Sequence, residues 1–276
     1  MGTLMTAGLA GGAKAILKIP TGLPLNMPLN FARRLTGRDR SASANHQLGC
    51  ALAFVAGAAN AGGFLAVKQY TSHMTGVVSA IADELVLGDL NLVLNGLGAL
   101  LCFVLGGACS AVMINFARRR NLHSEYAMPL LVEAALLLCF GLLGARLSQV
   151  QGPFVPATVM LLCFIMGLQN AIITKLSRAE IRTTHLTGMA TDIGIEVGKM
   201  LYWNRLAHDE RPAVRADRMK LRLLGTLVAF FFVGGLVGAL GFRHAGYVAT
   251  VPLALLLVAL ASVPAIDDLA SLTTRR

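Results

Sequence analysis

Two copies of a short polar motif stand out in a chain that is otherwise mostly apolar. The first reads Thr-Ser-His-Met-Thr-Gly at residues 71–76, and the second reads Thr-Thr-His-Leu-Thr-Gly at residues 183–188. In each copy two hydroxyl residues precede the histidine, and a hydroxyl in that place commonly accepts a hydrogen bond from a free N–H of the first helical turn. We therefore predict that each motif starts a helix and that the hydroxyl residues cap it.

The histidines, His73 and His185, are then expected in the first turn of these helices. The positive end of the helix dipole disfavours protonation there, and free N–H groups at that end can hold an anion. Thr75 and Thr187 belong to the same turns. The glycine three residues after each histidine permits a close approach by a second helix or a ligand, and close packing is the favoured reason.

Acidic residues follow the second motif at helical spacing. Asp192 and Glu196 lie on the same predicted helical stripe as His185, and Glu84 stands opposite Glu196 when the two copies are aligned. Ionisable side chains at membrane depth usually face the interior of a helix bundle and pair there, which makes these residues candidates for a substrate or coupling-ion site. The alternative is that they pair with Lys175, Arg182 or Lys199 and lock the helices together.

Three further residues join the candidate site. Asn60 and Asn170 each lie late in an apolar run, where an amide either bonds to a neighbouring helix or lines a substrate path. Glu133 stands alone in another apolar run, as a proton carrier or the partner of a basic group such as Arg146. No metal or cofactor is predicted, because the histidines show no close pairing and there is no phosphate-binding or dinucleotide fingerprint.

The composition indicates that a bilayer is the solvent of this chain. Hydrophobic residues make up 55% of it, charged residues 14%, and the mean hydropathy is +0.66. The apolar runs are continuous rather than alternating, so an all-α polytopic protein is expected and a β-barrel is excluded. The net charge of +10 resides in short clusters between these runs, which indicates membrane topology rather than nucleic-acid binding. The five cysteines show no metal or redox spacing.

Six apolar runs reach the length of about 20 residues that a membrane-spanning helix needs. They cover residues 48–67, 92–116, 127–147, 154–174, 221–242 and 247–263. Two shorter helical stretches, 73–87 and 185–201, carry the motifs and are expected to be re-entrant or partly inserted. Six crossings place every basic loop on the cytoplasmic side, whereas eight do not, so both termini are expected in the cytoplasm.

The two halves align around the motifs, with Gly57, Asn60 and Ala61 matching Gly167, Asn170 and Ala171. Three crossings per half make the repeats inverted in the membrane, an arrangement typical of transporters. The predicted organisation is a basic, poorly ordered tail at 1–47, repeats at 48–147 and 154–265, and a short tail at 266–276. Duplication alone does not prove transport, and a symmetric bundle that transports nothing is the less favoured alternative.

The paired motifs, the 167–171 block and the run Arg-Thr-Thr-His-Leu-Thr-Gly-Met-Ala-Thr-Asp-Ile-Gly-Ile-Glu-Val-Gly at 182–198 resemble the YoaK family of bacterial membrane proteins, also called domain-of-unknown-function family 1275. The resemblance covers about residues 48–265 and implies an inner-membrane protein, with no established substrate or reaction. Where the family often has an acidic residue late in the first crossing, this chain has Asn60, which cannot carry a proton.

The leading functional hypothesis is a small-solute or ion transporter or channel with a site near the bilayer middle, between the two histidine motifs. A non-transporting scaffold or regulatory membrane protein is the alternative, and an intramembrane metal-dependent enzyme is third. Enzyme activity is not expected. The lipid bilayer is the expected partner, and the oligomeric state and the solute cannot be read from the sequence.

Overall fold

The computed structural model describes residues 42–120, 122, 125–147, 154–176, 186–203 and 213–274. These residues form eight α-helices and one 3-10 turn, and the described part of the chain contains no strand. The helices are α1 (Ala42–Val67), α2 (Met74–Leu87), α3 (Leu90–Arg119), α4 (Ala127–Leu147), α5 (Phe154–Leu176), α6 (Leu186–Leu201), α7 (Arg218–Ala245) and α8 (Thr250–Thr274), with the 3-10 turn Gly246–Ala249 between the last two.

Five stretches of the described helices are long and apolar enough to cross a bilayer. They are Asn45–Val67, Leu90–Arg119, Ala127–Gly144, Pro156–Lys175 and Arg218–Ser262. The last stretch has 45 residues and contains α7 and α8, which meet at the turn that begins with Gly246 (φ 59°). The described part of the chain is therefore all-helical and of the membrane type, and its α2 and α6 are too short to count among these stretches.

The helix ends differ from the sequence prediction where polar residues extend an apolar run. α1 begins at Ala42, so residues 42–47 are helical rather than part of a poorly ordered tail. α8 continues to Thr274 and includes most of the predicted C-terminal tail. α3 begins at Leu90, two residues early, because the Asp89 carboxylate accepts hydrogen bonds from the N–H groups of Asn91 and Leu92. The remainder of the predicted N-terminal tail lies outside the described residues.

Two pairs of parallel helices, α1 with α7 and α3 with α5, pack backbone to backbone through glycine. Gly57 lies against the carbonyl of Phe231 and Gly234 against that of Phe54. In the other pair, Gly167 lies against the carbonyl of Phe103 and Gly106 against that of Phe164. A Cβ at any of these glycines would overlap the facing backbone, so glycine is what allows each pair to approach so closely.

The centre of the bundle is formed by α1, α4, α5 and α8. α4 packs along α8, and at one end Phe140, Phe242 and Tyr247 form a cluster with ring centroids 5.8–6.3 Å apart. The Gln169 side chain on α5 donates from Nε2 to the carbonyl of Leu52 on α1, at 3.1 Å. These contacts join both halves of the chain in one hydrophobic core.

The positions of these contacts fix which helix ends share a side of the bundle. Leu52 is nearer the start of α1 and Gln169 nearer the end of α5, so these two ends lie together. α7 starts on the same side because it is parallel to α1, and α3 ends there because it is parallel to α5. We call this side the basic end, because it carries Arg118, Arg119, Lys175, Arg218 and Lys220.

Candidate functional site

The first motif lies in a segment that turns back along α1. After α1 ends, Lys68 takes a left-handed conformation (φ 57°), and the Tyr70 ring stacks on that of Phe64 with centroids 4.5 Å apart. The Ser72 hydroxyl then donates to Asn60 Oδ1 at 2.9 Å. Since Asn60 is seven residues before the end of α1, this bond holds the motif about 10 Å below that end.

The predicted caps of the first motif are wrong. α2 begins at Met74 with His73 as its N-cap, and no side chain makes a capping hydrogen bond. The Ser72 hydroxyl is used by Asn60, and Thr71 is buried with its Oγ1 unpartnered. The His73 ring instead lies over Gly76, where a Cβ would overlap its Nδ1. The tertiary contact to Asn60 thus replaces the local cap, and the glycine makes room for the imidazole.

α2 starts near the middle of the bundle and leads away from the basic end. Val77 is buried against Ala99 of α3 and Cys163 of α5, with Met74 at the edge of the same cluster. Ala99 and Cys163 are each nine residues into their helices, about 14 Å from the start. That is close to half of a hydrocarbon core about 30 Å thick.

α6 also starts near the middle, but it leads toward the basic end. Leu186 lines the same groove as Gly57 of α1 and Val228 of α7, and Val228 is ten residues, about 15 Å, into α7. At the other end of α6, Glu196 Oε2 accepts from the backbone N–H of Asp217, the residue that caps α7. The second histidine, His185, lies outside the described residues, as do the caps predicted before it.

Two open grooves of similar size flank the glycine-packed helix pairs. The first groove, about 320 Å³, contains Asn60 and is lined by Gly57, Ala61, Tyr70, Leu186 and residues of α7 including Phe231 and Gly235. The second groove, also about 320 Å³, contains Asn170 and is lined by Gly167, Ala171, Phe103, Gly107, Thr174 and Lys175, among others. Residues that the sequence alignment pairs therefore line the two grooves in the same way.

Asp192 and Glu196 lie away from the grooves, at the basic end. Glu196 is buried and accepts from Lys199 Nζ at 2.8 Å, while Asp192 pairs with Lys220 Nζ at 3.4 Å. The bond to Lys199, followed by that from the Asp217 N–H, lowers the pKa of the Glu196 carboxyl below its ordinary value. These contacts attach α6 to the start of α7, and Lys220 is a partner that the sequence analysis missed.

The remaining candidates fall into different surroundings. Glu84 lines a cavity of about 260 Å³ between α2, α3 and α5, together with the polar side chains of Gln69 and Asn95. Thr75 and Thr187 are exposed in the first turns of α2 and α6. Glu133 is completely buried in α4 and lines neither groove, and neither of its carboxyl oxygens has a hydrogen-bond partner in the described part of the chain. The Arg146 side chain lies outside the described part of the chain, so the alternative in which Glu133 pairs with Arg146 stays a prediction.

The structure thus brings some of the predicted site residues together and places the others in different parts of the bundle. Asn60, the first motif and the start of α6 meet at the first groove, whereas the acids on α6 and Glu133 lie elsewhere. Within residues 42–120, 125–147, 154–176, 186–203 and 213–274, no three His, Cys, Asp or Glu side chains come together as metal ligands would. Of the predicted site residues, Asn60 lines the first groove, and the Ser72 hydroxyl is bound to its side chain.

Comparison with known proteins gives one family and nothing beyond it. The sequence matches no curated protein and no solved structure. The family described as "Protein of unknown function (DUF1275)" matches residues 48–263, which is most of the chain and includes both motifs and both grooves. The chain therefore belongs to the DUF1275 family, as the paired histidine motifs predict.

Proposed function

We propose that this protein is an inner-membrane transporter or channel for a small solute or ion, with its site at mid-depth beside the starts of α2 and α6. The observation that carries this proposal is that two short helices begin near the middle of the bundle and lead to opposite ends of it. Helices that stop halfway through a membrane leave free backbone groups there, which a cavity or a solute must satisfy.

An inverted repeat of three crossings and one half-helix accounts for the paired contacts. Gly57 and Phe231 occupy the same relation as Gly167 and Phe103, and the two Asn grooves match as well. α1 and α5 are the first crossings of the two halves, and they point in opposite directions. This support comes from packing, and it is independent of the sequence alignment that first indicated the repeat.

The basic end is proposed to face the cytoplasm. Of the described residues, Arg118–Arg120, Lys175, Lys199 and Lys220 lie at that end. At the opposite end, Lys68 and Arg243 are accompanied by the acids Asp83, Glu84 and Asp89. Such an asymmetry of Lys and Arg orients helical membrane proteins with the basic side inside, and it supports the proposal that both termini are cytoplasmic.

Polar groups on the half-helices are the proposed lining of the path. His73, Thr75 and Thr187 are exposed although they sit at or next to the helix starts, near mid-depth. Facing such groups toward hydrocarbon is unfavourable, so water, a solute or protein should cover them. Leu101, at a similar depth on α3 and 58% exposed, provides the contrasting lipid-facing position.

Cysteine accessibility in lipid vesicles tests the proposal without knowledge of the solute. The five native cysteines are replaced, and Thr75→Cys, Thr187→Cys and the control Leu101→Cys are treated with a charged methanethiosulfonate reagent. A polar path predicts modification of the first two at least roughly tenfold faster than Leu101→Cys, because charged reagents do not partition into hydrocarbon. Equal, slow modification of all three cysteines would contradict the proposed polar path.

A scaffold or regulatory role is the second candidate, and the contacts of α6 favour it. Asp192 and Glu196, which were candidates for coupling ions, have protein partners that tie α6 to α7. If those contacts are the purpose of the helix, Glu196→Gln should lower the unfolding temperature while Thr75→Cys and Thr187→Cys stay unreactive in the accessibility measurement. Reactive cysteines at both positions would instead favour transport.

A further inference from the structure

Glu133 is a carboxyl group buried in the core with no hydrogen-bond partner. It lies on α4, its exposed fraction is 0%, and neither Oε1 nor Oε2 has a partner within the described part of the chain. Its position six residues after the start of α4 puts it about 9 Å inside the bundle from the basic end. Buried carboxyls in proteins are nearly always hydrogen-bonded or paired, so this one requires an explanation.

No described cation on the helices packed against α4 pairs with Glu133. On α3, Arg118 donates to Glu125 at 2.9 Å and also to Tyr126. On α5, Lys175 donates to Asn115 at 3.3 Å. Both basic groups are therefore used near the surface of the basic end, outside the core that contains Glu133.

The other titratable groups on those helices do not supply a charge either. Residues 250–262 of α8 include no titratable side chain, and Tyr247 of the 3-10 turn packs on Phe140, two turns further along α4. Cys163 of α5 lies in the separate cluster with Val77. His46 at the start of α1 has its Nε2 buried without a partner. The immediate surroundings of Glu133 belong to the apolar core.

An ionised carboxylate in such a place would be far less stable than a protonated one. Transfer of an unpaired charge into a protein interior costs several kcal/mol or more, and binding a proton removes that cost. Gln169 on the neighbouring helix α5 lies at a similar depth, seven residues before the end of α5, and its Oε1 is a buried acceptor without a partner. A carboxyl O–H can donate to an amide oxygen, whereas a carboxylate cannot.

We propose that Glu133 is a proton-binding site of the bundle core. In the conformation described here it holds a proton at neutral pH, and it exchanges that proton with water only when the interface of α4 and α5 opens. Proton release and opening are then linked: a conformation that hydrates Glu133 favours the carboxylate, and the closed conformation favours the acid. This inference does not depend on the solute path at the grooves.

Infrared spectroscopy of the protein in lipid vesicles tests the bound proton. At about pH 7.5 exposed carboxyls are ionised, so a C=O stretching band of a protonated carboxyl should come from a buried acid. We expect this band in the unaltered protein, its complete loss in Glu133→Gln, and its retention in the control Glu125→Gln, whose carboxylate is paired with Arg118. Absence of the band from the unaltered protein overturns the proposal without any variant.

Two further measurements complete the test. If Glu133→Gln does not fold, Glu133→Asp keeps a carboxyl and should shift the frequency of the band, whereas an unshifted band would assign it to another acid and overturn the proposal. After transfer to D2O, the band of the unaltered protein should move to its deuterated position as slowly as the core amides exchange. A shift within the mixing time would show that Glu133 is open to water in this conformation, and would overturn the sealed site.

Discussion

The Ser72 hydroxyl donates a hydrogen bond to Asn60 Oδ1 at 2.9 Å and so attaches the first histidine motif to the late part of α1. This contact joins two features that the sequence analysis treated separately, the motif and the asparagine of the first apolar run. The contact requires only a hydrogen-bond acceptor at position 60, because either an amide or a carboxylate oxygen accepts from a serine hydroxyl.

Removing either partner of this bond should destabilise the motif by a similar amount. We expect Asn60→Ala and Ser72→Ala each to reduce the free energy of unfolding by about 1 kcal/mol, and the double variant to lose less than the sum. Asn60→Asp retains the acceptor and should keep most of the stability. Unfolding titrations of the four variants in mixed micelles measure the coupling. Strict additivity of the single losses would contradict an interaction between the two side chains.

Substitution of the glycines at the helix–helix contacts should destabilise the protein by a similar amount in the two halves. Gly57→Ala and Gly167→Ala each place a Cβ on the facing backbone, of Phe231 and Phe103 respectively, which neither helix can relieve by rotating a side chain. Overpacking of this kind costs about 1–3 kcal/mol, and the helices would have to move apart. Gly225→Ala, which meets open space on α7, is the control.

Unfolding temperature and the yield of folded protein in membranes report this comparison. Gly57→Ala and Gly167→Ala should lower both quantities by similar amounts. Gly225→Ala should match or slightly exceed the unaltered protein, because alanine has a higher helix propensity than glycine. A large loss for Gly57→Ala with none for Gly167→Ala would argue against equivalent packing in the two halves.

Much of the helical framework was predictable because a membrane-crossing helix needs a long apolar run, and such runs are easily recognised in the sequence. The prediction of short motif helices at 73–87 and 185–201 agrees with α2 and with the described start of α6 at Leu186. The observed helix ends differ from the predicted ones where polar side chains act locally. Asp89 caps α3, so that the helix begins earlier than predicted, and His73 is the N-cap of α2 rather than a residue of its first turn. Hydropathy carries no information on such local hydrogen bonds.

Lateral packing was not predictable from one sequence. The sequence around Gly57 does not indicate that this glycine packs against α7 rather than α3. Small residues indicate where a helix makes a close contact, but they do not determine which helix it contacts. The partners of Asp192 and Glu196 were half predicted: Lys199 was proposed, whereas Lys220 and the backbone of Asp217 follow only from the path of the chain into α7. The burial of Glu133 followed from the apolar run that contains it, but the absence of a hydrogen-bond partner in the described part of the chain could not be predicted.

Gly76 should prove necessary for the position of His73 rather than for the stability of α2. Gly76→Ala puts a Cβ where the imidazole lies, so the ring must swing away while the helix itself gains a better helix former. We expect little change in unfolding temperature and a changed environment of His73, seen as shifted ring resonances in spectra of the histidine-labelled protein. Gly194→Ala on α6, which meets open space, should leave those resonances in place.

The attachment of α6 to α7 should weaken in acid. Because the contacts to Lys199 and the Asp217 N–H depress the pKa of Glu196 in the folded protein, its contribution to stability is fully present above the ordinary value of 4.5 and is lost as the pH falls through the lower folded value. The unfolding temperature of the unaltered protein should therefore begin to approach that of Glu196→Gln as the pH falls below about 4.5, and the two should differ by a constant amount between about pH 6 and pH 8. Glu125→Gln, which leaves the α6 contacts intact, corrects for the general effect of acid. A difference between the unaltered protein and Glu196→Gln that persists unchanged below pH 4 would mean that the carboxylate does not stabilise the fold through these contacts.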